Sequence, residues 1–154
     1  MSFLTRLFSS KKTVSISIKG LGEFTYYKDK IDEYWQTEKP VGKLPNQFDF
    51  GAIHGDIDGP NSEALETFKY FSTNVEEIFN LVNSLFFEKV SPKFGKLNIN
   101  QVKSKFFIKT LTCSSKNKFE FGLHSLESDV FIELFCRNGV VTEIHIDEDC
   151  CESM

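Results

Sequence analysis

The segment from His54 to Gly59 contains the residue types that most resemble a metal-binding motif in this 154-residue sequence. His54, Asp56 and Asp58 alternate with uncharged residues ahead of the glycine, as oxygen ligands do at the start of a calcium loop. The bidentate glutamate that closes such a loop should lie six residues after the glycine, where this chain has Leu65. We therefore predict no metal and interpret the segment as a polar strand end that leads into a helix.

No other arrangement of residues in the sequence is typical of a catalytic centre. No GxSxG motif marks a nucleophilic serine, and the three histidines lie in separate segments. His145 lies near Cys150 and Cys151, but structural zinc needs a second pair of ligands, which is missing. Glu133 and Glu143 could face each other across the last hairpin, although 22 acidic residues make such pairs common. We predict that the protein is not an enzyme and has no cofactor.

The charges of the chain are segregated, and the net charge is −4. Residues 89–119 hold eight lysines and no acid, whereas residues 120–154 hold nine acids and one arginine. Lysines beside Phe106 and Phe107 could hold a single-stranded nucleic acid by stacking and charge. Because adjacent strand residues point to opposite faces, we instead interpret this stretch as a solvated basic connection and predict no nucleic-acid binding.

The composition favours an intracellular protein. No run approaches the roughly 18 apolar residues that a membrane span needs, and Arg6 interrupts the short apolar start, so we predict neither a signal peptide nor membrane binding. Four cysteines form no CxxC pair, and Cys113 and Cys136 fall in predicted strands, where a small buried hydrophobe is the usual role. We predict a cytoplasmic location with reduced thiols.

Hydrophobic periodicity predicts an α+β domain with the element order β-β-β-α-β-β-β-β. Alternating residues predict strands near 14–18, 23–27 and 48–52, and four more from residue 106 to residue 147. The stretch 29–42 is interpreted as a polar connection that contains Tyr34 and Trp35. Apolar residues at spacings of three and four from Ala64 to Leu85 predict one long helix, broken near Ser72 by a capping box. The helix should end by Pro92 and pack on one face of a mostly antiparallel sheet of about six to seven strands.

The last two strands carry the clearest local signal. Asn138-Gly139 adopts the positive φ angles that a tight hairpin turn requires. On the second arm we expect Val140, Thr142, Ile144 and Ile146 to share one face. The predicted organisation is a tail or short helix over residues 1–12, a single domain over 13–147 and an acidic tail over 148–154.

An outline of the chain resembles a group of small bacterial proteins. The basic, aromatic start that runs into Lys11 and Lys12, the Leu-Gly-Glu-Phe sequence at 21–24, and the closing hairpin at 138–146 are similar to theirs. Several such families are immunity proteins that neutralise polymorphic or contact-delivered toxins. The resemblance implies a compact acidic domain that binds a toxin domain, and it supplies no catalytic residues.

We therefore expect a non-enzymatic bacterial interaction protein, an immunity protein that binds a cognate toxin. Amphipathic aromatics anchor interfaces and acidic side chains meet basic surfaces, so these types supply the candidate contact residues. The candidates are Tyr34, Trp35, Glu143, Asp147, Glu148 and Asp149. Trp35 could equally be a core residue, and the acids could serve solubility. The alternative functions are a metal-dependent, hydrolase-like enzyme that uses His54, Asp56 and Asp58, and a self-associating scaffold such as a homodimer.

Overall fold

The computed structural model of the chain describes residues 13–37, 39–41, 48–125 and 127–148. The predicted N-terminal tail, residues 1–12, lies outside the described residues, as does all of the predicted acidic tail except Glu148. The described strands are β1 (Ser15–Ile18), β2 (Gly22–Lys28), β3 (Glu33–Thr37), β4 (Phe50–Asp56), β5 (Gly59–Pro60), β6 (Phe106–Ser115), β7 (Lys118–Ser125), β8 (Phe131–Arg137) and β9 (Val140–Asp147). The described helices are α1 (Ser62–Thr73), α2 (Glu76–Phe79), α3 (Ser84–Phe94) and α4 (Ile99–Lys105).

All described strands belong to one sheet, in the order β1-β2-β3-β4-β6-β7-β8-β9, with the two-residue β5 paired to β4. Neighbouring strands are antiparallel except β4 and β6, which run parallel. A parallel pair needs a crossover connection, and the four helices supply it between these two strands. The predicted α+β class and mostly antiparallel sheet are therefore confirmed.

The strand count exceeds the prediction because β3 and β5 were not expected. β3 lies inside the stretch that we interpreted as a polar connection. Its five residues alternate, since Trp35 and Thr37 are buried while Tyr34 and Gln36 are half-buried. Such a short run among polar neighbours gives little periodic signal, so the pattern of β3 is visible mainly once its partners β2 and β4 are known.

The helical layer has four described helices instead of one long or broken helix. The predicted break near Ser72 is confirmed, because α1 ends at Thr73 and the Asn74 backbone N–H bonds to the Tyr70 carbonyl. The predicted end by Pro92 is wrong. α3 continues to Phe94, and Gly95 ends it with a positive φ of 75°.

Helix α4 was missed altogether, although its first turn carries a capping box. The Asn98 side chain accepts a hydrogen bond from the Gln101 backbone N–H, and the Gln101 side chain accepts one from the Asn98 backbone N–H. Asn and Gln at this spacing were therefore the available sequence signal. With only seven residues, α4 shows too little periodicity to be recognised in a lysine-rich stretch.

The helices pack against one face of the sheet, which we call the core face. The Phe68 ring from α1 lies against Gly51 of β4 so closely that a Cβ at Gly51 would be 2.5 Å from it. Phe71 of α1 contacts Phe119 of β7 with ring centroids 4.6 Å apart. Phe68 is fully buried, and it also meets two further aromatic rings edge to face. The many phenylalanines of the sequence thus join the helices to the sheet.

The closing hairpin has the predicted turn but a different register. Asn138 and Gly139 have φ angles of 53° and 77°, which confirms the turn. Cys136 pairs with Val141 whereas Phe135 pairs with Glu143, so β9 has one extra residue in a β-bulge. Val141 is buried opposite Cys136, whereas residues 140 and 142 are exposed, so the first half of the predicted face on β9 is wrong. Beyond the bulge, Ile144 pairs with Leu134 and is buried.

None of the helices in the described part of the chain is long and apolar enough to cross a membrane.

Candidate functional site

The face of the sheet opposite the helices, which we call the uncovered face, carries polar and aromatic side chains in cross-strand rows. Along each strand, side chains alternate between the two faces. Phe119 points to the core face, so its neighbour Glu120 points to the uncovered face. No helix of the described residues packs against this face. One row reads Gln36, Ala52, Thr112, Glu120, Phe135 and Glu143 from β3 to β9. The next row reads Phe50, Thr110, Gly122, Glu133 and His145 from β4 to β9.

A groove of about 790 Å³ lies on this face. Its lining includes Asp32, His54, Glu120, Phe135, Arg137 and Glu143. The residues come from β4, β7, β8 and β9 and from the turn before β3, which are distant in sequence and are joined only by the sheet. The groove therefore exists because of the strand order, and carboxylates and an aromatic ring line it together.

A smaller pocket of about 200 Å³, which we call the Glu120 pocket, shares the Glu120 side chain with the groove. Two phenylalanines, two threonines and two glutamates account for most of its lining. These are Phe50, Phe131, Thr110, Thr112, Glu120 and Glu133. The pocket thus combines aromatic, hydroxyl and carboxylate groups in a volume that suits a single side chain.

Glu120 is the acid whose surroundings are most unusual. Burial raises the pKa of its carboxyl group, and the neighbouring charge of Glu133 raises the pKa further. Lys118 and His145 act in the opposite direction with smaller effect. Two like charges therefore share this site, and Lys118 and His145 offset their repulsion only in part.

A glycine creates the floor of this region. Gly122 of β7 lies beneath the ring of Phe131, and an added Cβ would come within 2.3 Å of that ring and 2.5 Å of the Thr110 hydroxyl. Glycine in a strand interior often marks such a close approach. Because position 122 has no side chain, the Phe131 ring folds over β7 and forms one wall of the Glu120 pocket.

The β9 side of the uncovered face contains a histidine and another acid. His145 Nε2 lies 3.0 Å from the Glu143 carboxylate, and both side chains are largely exposed. The His145 ring packs on Phe135 with centroids 4.9 Å apart. Glu133 pairs with His145 because of the bulge in β9, since a hairpin without the bulge would pair Glu133 with Ile144.

The predicted contact residues are distributed over different parts of the molecule. Tyr34, Glu143 and Asp147 lie on the uncovered face, where Tyr34 stacks on Tyr27 at 5.9 Å. Glu148 instead forms an ion pair with Lys93 of α3 at 3.4 Å. Asp149 lies outside the described residues.

Trp35 belongs to the core. The side chain is 1% exposed, and its Nε1–H donates a hydrogen bond of 2.9 Å to the Asp56 backbone carbonyl. Of the two aromatic candidates from the sequence, Tyr34 alone has an accessible side chain.

The three side chains of the alternative metal segment are not gathered into a site. His54 lines the groove, whereas Asp56 lies at the β4–β5 turn and its carboxylate accepts a hydrogen bond from the Asp58 backbone N–H. In the parts of the chain that the structure describes, no three histidine, cysteine or acidic side chains are grouped closely enough to hold a metal ion.

The two described cysteines lie in the core. Burial raises the pKa of the Cys113 thiol, and it raises that of Cys136 to about 12. Both therefore stay protonated at neutral pH and act as small apolar groups.

A second groove of about 610 Å³ lies between α1 and the ends of two hairpins. Its floor is formed by Phe71 and Phe119 of the core, and Tyr70 beside it is 51% exposed. The acids at its rim, Glu63 and Glu66, are exposed, and neither belongs to a half-buried pair of like charges. We therefore regard the uncovered face as the stronger candidate site.

Sequence reasoning did not select Glu120, Glu133, Phe50 or Phe131. The alternation of β7, with Phe119, Phe121 and Leu123 inside, does indicate that Glu120 faces away from the core. Which acids and rings lie beside it depends on the strand order and on three register shifts between paired strands, and these are long-range features.

Comparisons of the chain with protein-family models, with curated proteins and with solved structures found no significant match. The fold and the groove thus define an α+β protein whose mostly antiparallel sheet has helices on one face and an acidic, aromatic groove on the other.

Proposed function

We propose that this chain is a non-enzymatic bacterial interaction protein, specifically an immunity protein that binds and neutralises a cognate toxin domain. The observation that carries the proposal is the uncovered face, where a groove of about 790 Å³ is lined by carboxylates and an aromatic ring. The outline resemblance to immunity proteins supports the same conclusion.

The size of the uncovered face suits a protein partner. Eight strands spaced about 4.8 Å apart give a sheet about 34 Å wide. A stable interface buries about 800 Å² on each partner, which a face of this width can provide. Aromatic side chains such as Tyr34 and Phe135 can supply contact area at low entropic cost.

The charge of the face favours a basic partner. Asp32, Glu120 and Glu143 line the groove and Glu133 lines the adjoining pocket, whereas Lys118 and Arg137 lie exposed at its hairpin end. Complementary charge mainly raises the association rate and selects the partner. A basic toxin surface would also place counter-charges beside Glu120 and Glu133.

One edge of the sheet, strand β9, argues against the scaffold alternative. β1 and β9 are the terminal strands of the described sheet. β9 carries a bulge together with Glu143, His145 and Asp147, and both features hinder edge-to-edge pairing.

Growth rescue tests the proposal. Toxin domains encoded in the source genome are expressed one at a time in a sensitive host, with and without this chain. We expect the chain to restore growth against one toxin, and the purified pair to bind with a submicromolar Kd. Rescue of none would overturn the proposal, and a dimer in light scattering would then favour the scaffold.

A further inference from the structure

We propose that the Glu120 pocket receives an arginine side chain of the protein partner, with its guanidinium group between the carboxylates of Glu120 and Glu133. This inference deepens the proposed function and rests on it for the identity of the partner. The type of contact, an arginine side chain between two carboxylates, is inferred from the geometry of the uncovered face.

The first argument is the complementarity of charge. Glu120 on β7 and Glu133 on β8 are diagonal neighbours, because Glu120 pairs with Phe135 and Gly122 pairs with Glu133. Both glutamates line the same pocket, and the charges of Lys118 and His145 offset the burial and the repulsion at Glu120 only in part. Two half-buried carboxylates that repel each other gain most from a single cation placed between them.

The second argument is the aromatic lining. Phe50 and Phe131 enter the pocket from β4 and from the start of β8, and Gly122 allows the Phe131 ring to lie over β7. A cation over an aromatic face is stabilised by the ring quadrupole, and arginine makes such contacts more often than lysine.

The third argument is the number of acceptors and the size of the pocket. The Thr110 and Thr112 hydroxyls lie in the same lining as the two carboxylates. Guanidinium has five donors in one plane, whereas ammonium has three on a single atom, so arginine matches four acceptors better. The volume of about 200 Å³ is smaller than the sites that hold free small molecules, and it is compatible with one side chain.

The test uses the purified full chain, labelled with ¹⁵N, and the probe N-acetyl-arginine amide. We expect saturable shifts in the backbone amide signals of Thr110, Thr112, Glu120 and Gly122. The neutral isostere N-acetyl-citrulline amide should cause none of them. N-acetyl-lysine amide should bind at least threefold more weakly than the arginine probe.

Matched variants locate the binding. Glu120→Gln with Glu133→Gln should weaken arginine binding at least tenfold, since both charges are removed while the shape is kept. Glu63→Gln with Glu66→Gln removes two exposed acids from α1 and should leave the affinity for the arginine probe unchanged. Equal binding of the citrulline probe, equal binding of the lysine probe, or an unaltered affinity in the first variant would each overturn the proposal.

The two proposals fail independently. The probe titration needs no toxin, so arginine binding without growth rescue would retain the pocket and reject the immunity function. Growth rescue without selective arginine binding would retain the immunity function and reject the pocket.

Discussion

Burial and the neighbouring charge of Glu133 raise the carboxyl pKa of Glu120, and we therefore expect Glu120 to lower the stability of the fold at neutral pH. A raised carboxyl pKa means that the folded chain holds the proton more tightly than the unfolded chain does. The free energy of unfolding therefore falls as the pH rises from the ordinary carboxyl range through the folded pKa. Such a cost is typical of a residue that serves binding and not stability.

Glu120→Gln should accordingly raise the free energy of unfolding at pH 7. The gain should shrink as the pH falls, and it should vanish below about pH 4, where the carboxyl group is protonated in both states. Urea unfolding at pH 7, 5.5 and 4 measures this difference. A variant that is less stable than wild type at pH 7 would show that Glu120 makes a stabilising contact.

Gly122→Ala should destabilise the fold by about 1–3 kcal/mol, because the new Cβ would overlap the Phe131 ring and the Thr110 hydroxyl. Adding Phe131→Leu should recover part of the loss, since a smaller side chain leaves room for the methyl group. Urea unfolding of the single and double variants measures the coupling. Additive losses would mean that the ring does not press on Gly122.

For single residues, the sequence shows which side-chain types are present, but it does not show which side chains lie next to each other in the sheet. The sequence suggested that Glu133 and Glu143 could face each other across the last hairpin. In the sheet these two residues are not paired, since Glu133 pairs with His145. One bulge in β9 decides this register, and no local signal in residues 140–147 marks it.

Phe68 and Phe71 pack helix α1 against the sheet, and Phe68 is the more deeply buried of the two. Phe68→Ala should destabilise the protein by about 3–5 kcal/mol, because the fully buried ring packs against Gly51, Phe24 and Phe48. Tyr70→Ala on the exposed side of the same helix is the control and should cost less than about 1 kcal/mol. Equal losses in urea unfolding would contradict the assigned packing.

Elements with a strong local pattern could be predicted, and elements defined by their partners could not. The Asn138-Gly139 turn and the break near Ser72 follow from nearby residues. Strand β3 was not predicted from the sequence, because it is defined by its pairing with β2 and β4. The parallel pairing of β4 with β6 depends on the position of the whole helical layer, which local periodicity does not specify.

At the scale of the whole molecule, our proposal assigns the stability of the fold to one face of the sheet and partner binding to the other. The core face carries the aromatic packing of the helices, whereas the uncovered face carries the half-buried acids and the groove. The sequence predicted an acidic contact surface, and it placed that surface on Glu143, Asp147, Glu148 and Asp149. The centre of the groove could not be foreseen, since β7 and β8 become neighbours of β4 and β6 only in the folded sheet.

Charge reversal on the two faces tests the central claim, that the uncovered face binds a toxin. The measurement is the Kd of the toxin complex for Glu120→Lys/Glu133→Lys and for the matched control Glu63→Lys/Glu66→Lys on α1. Loss of a desolvated charge contact costs about 2 kcal/mol or more, so the first variant should bind at least about 30-fold more weakly. The control should stay within about threefold of wild type. Weakened binding in the control together with unaltered binding in the first variant would contradict the account and place the interface on the helical side.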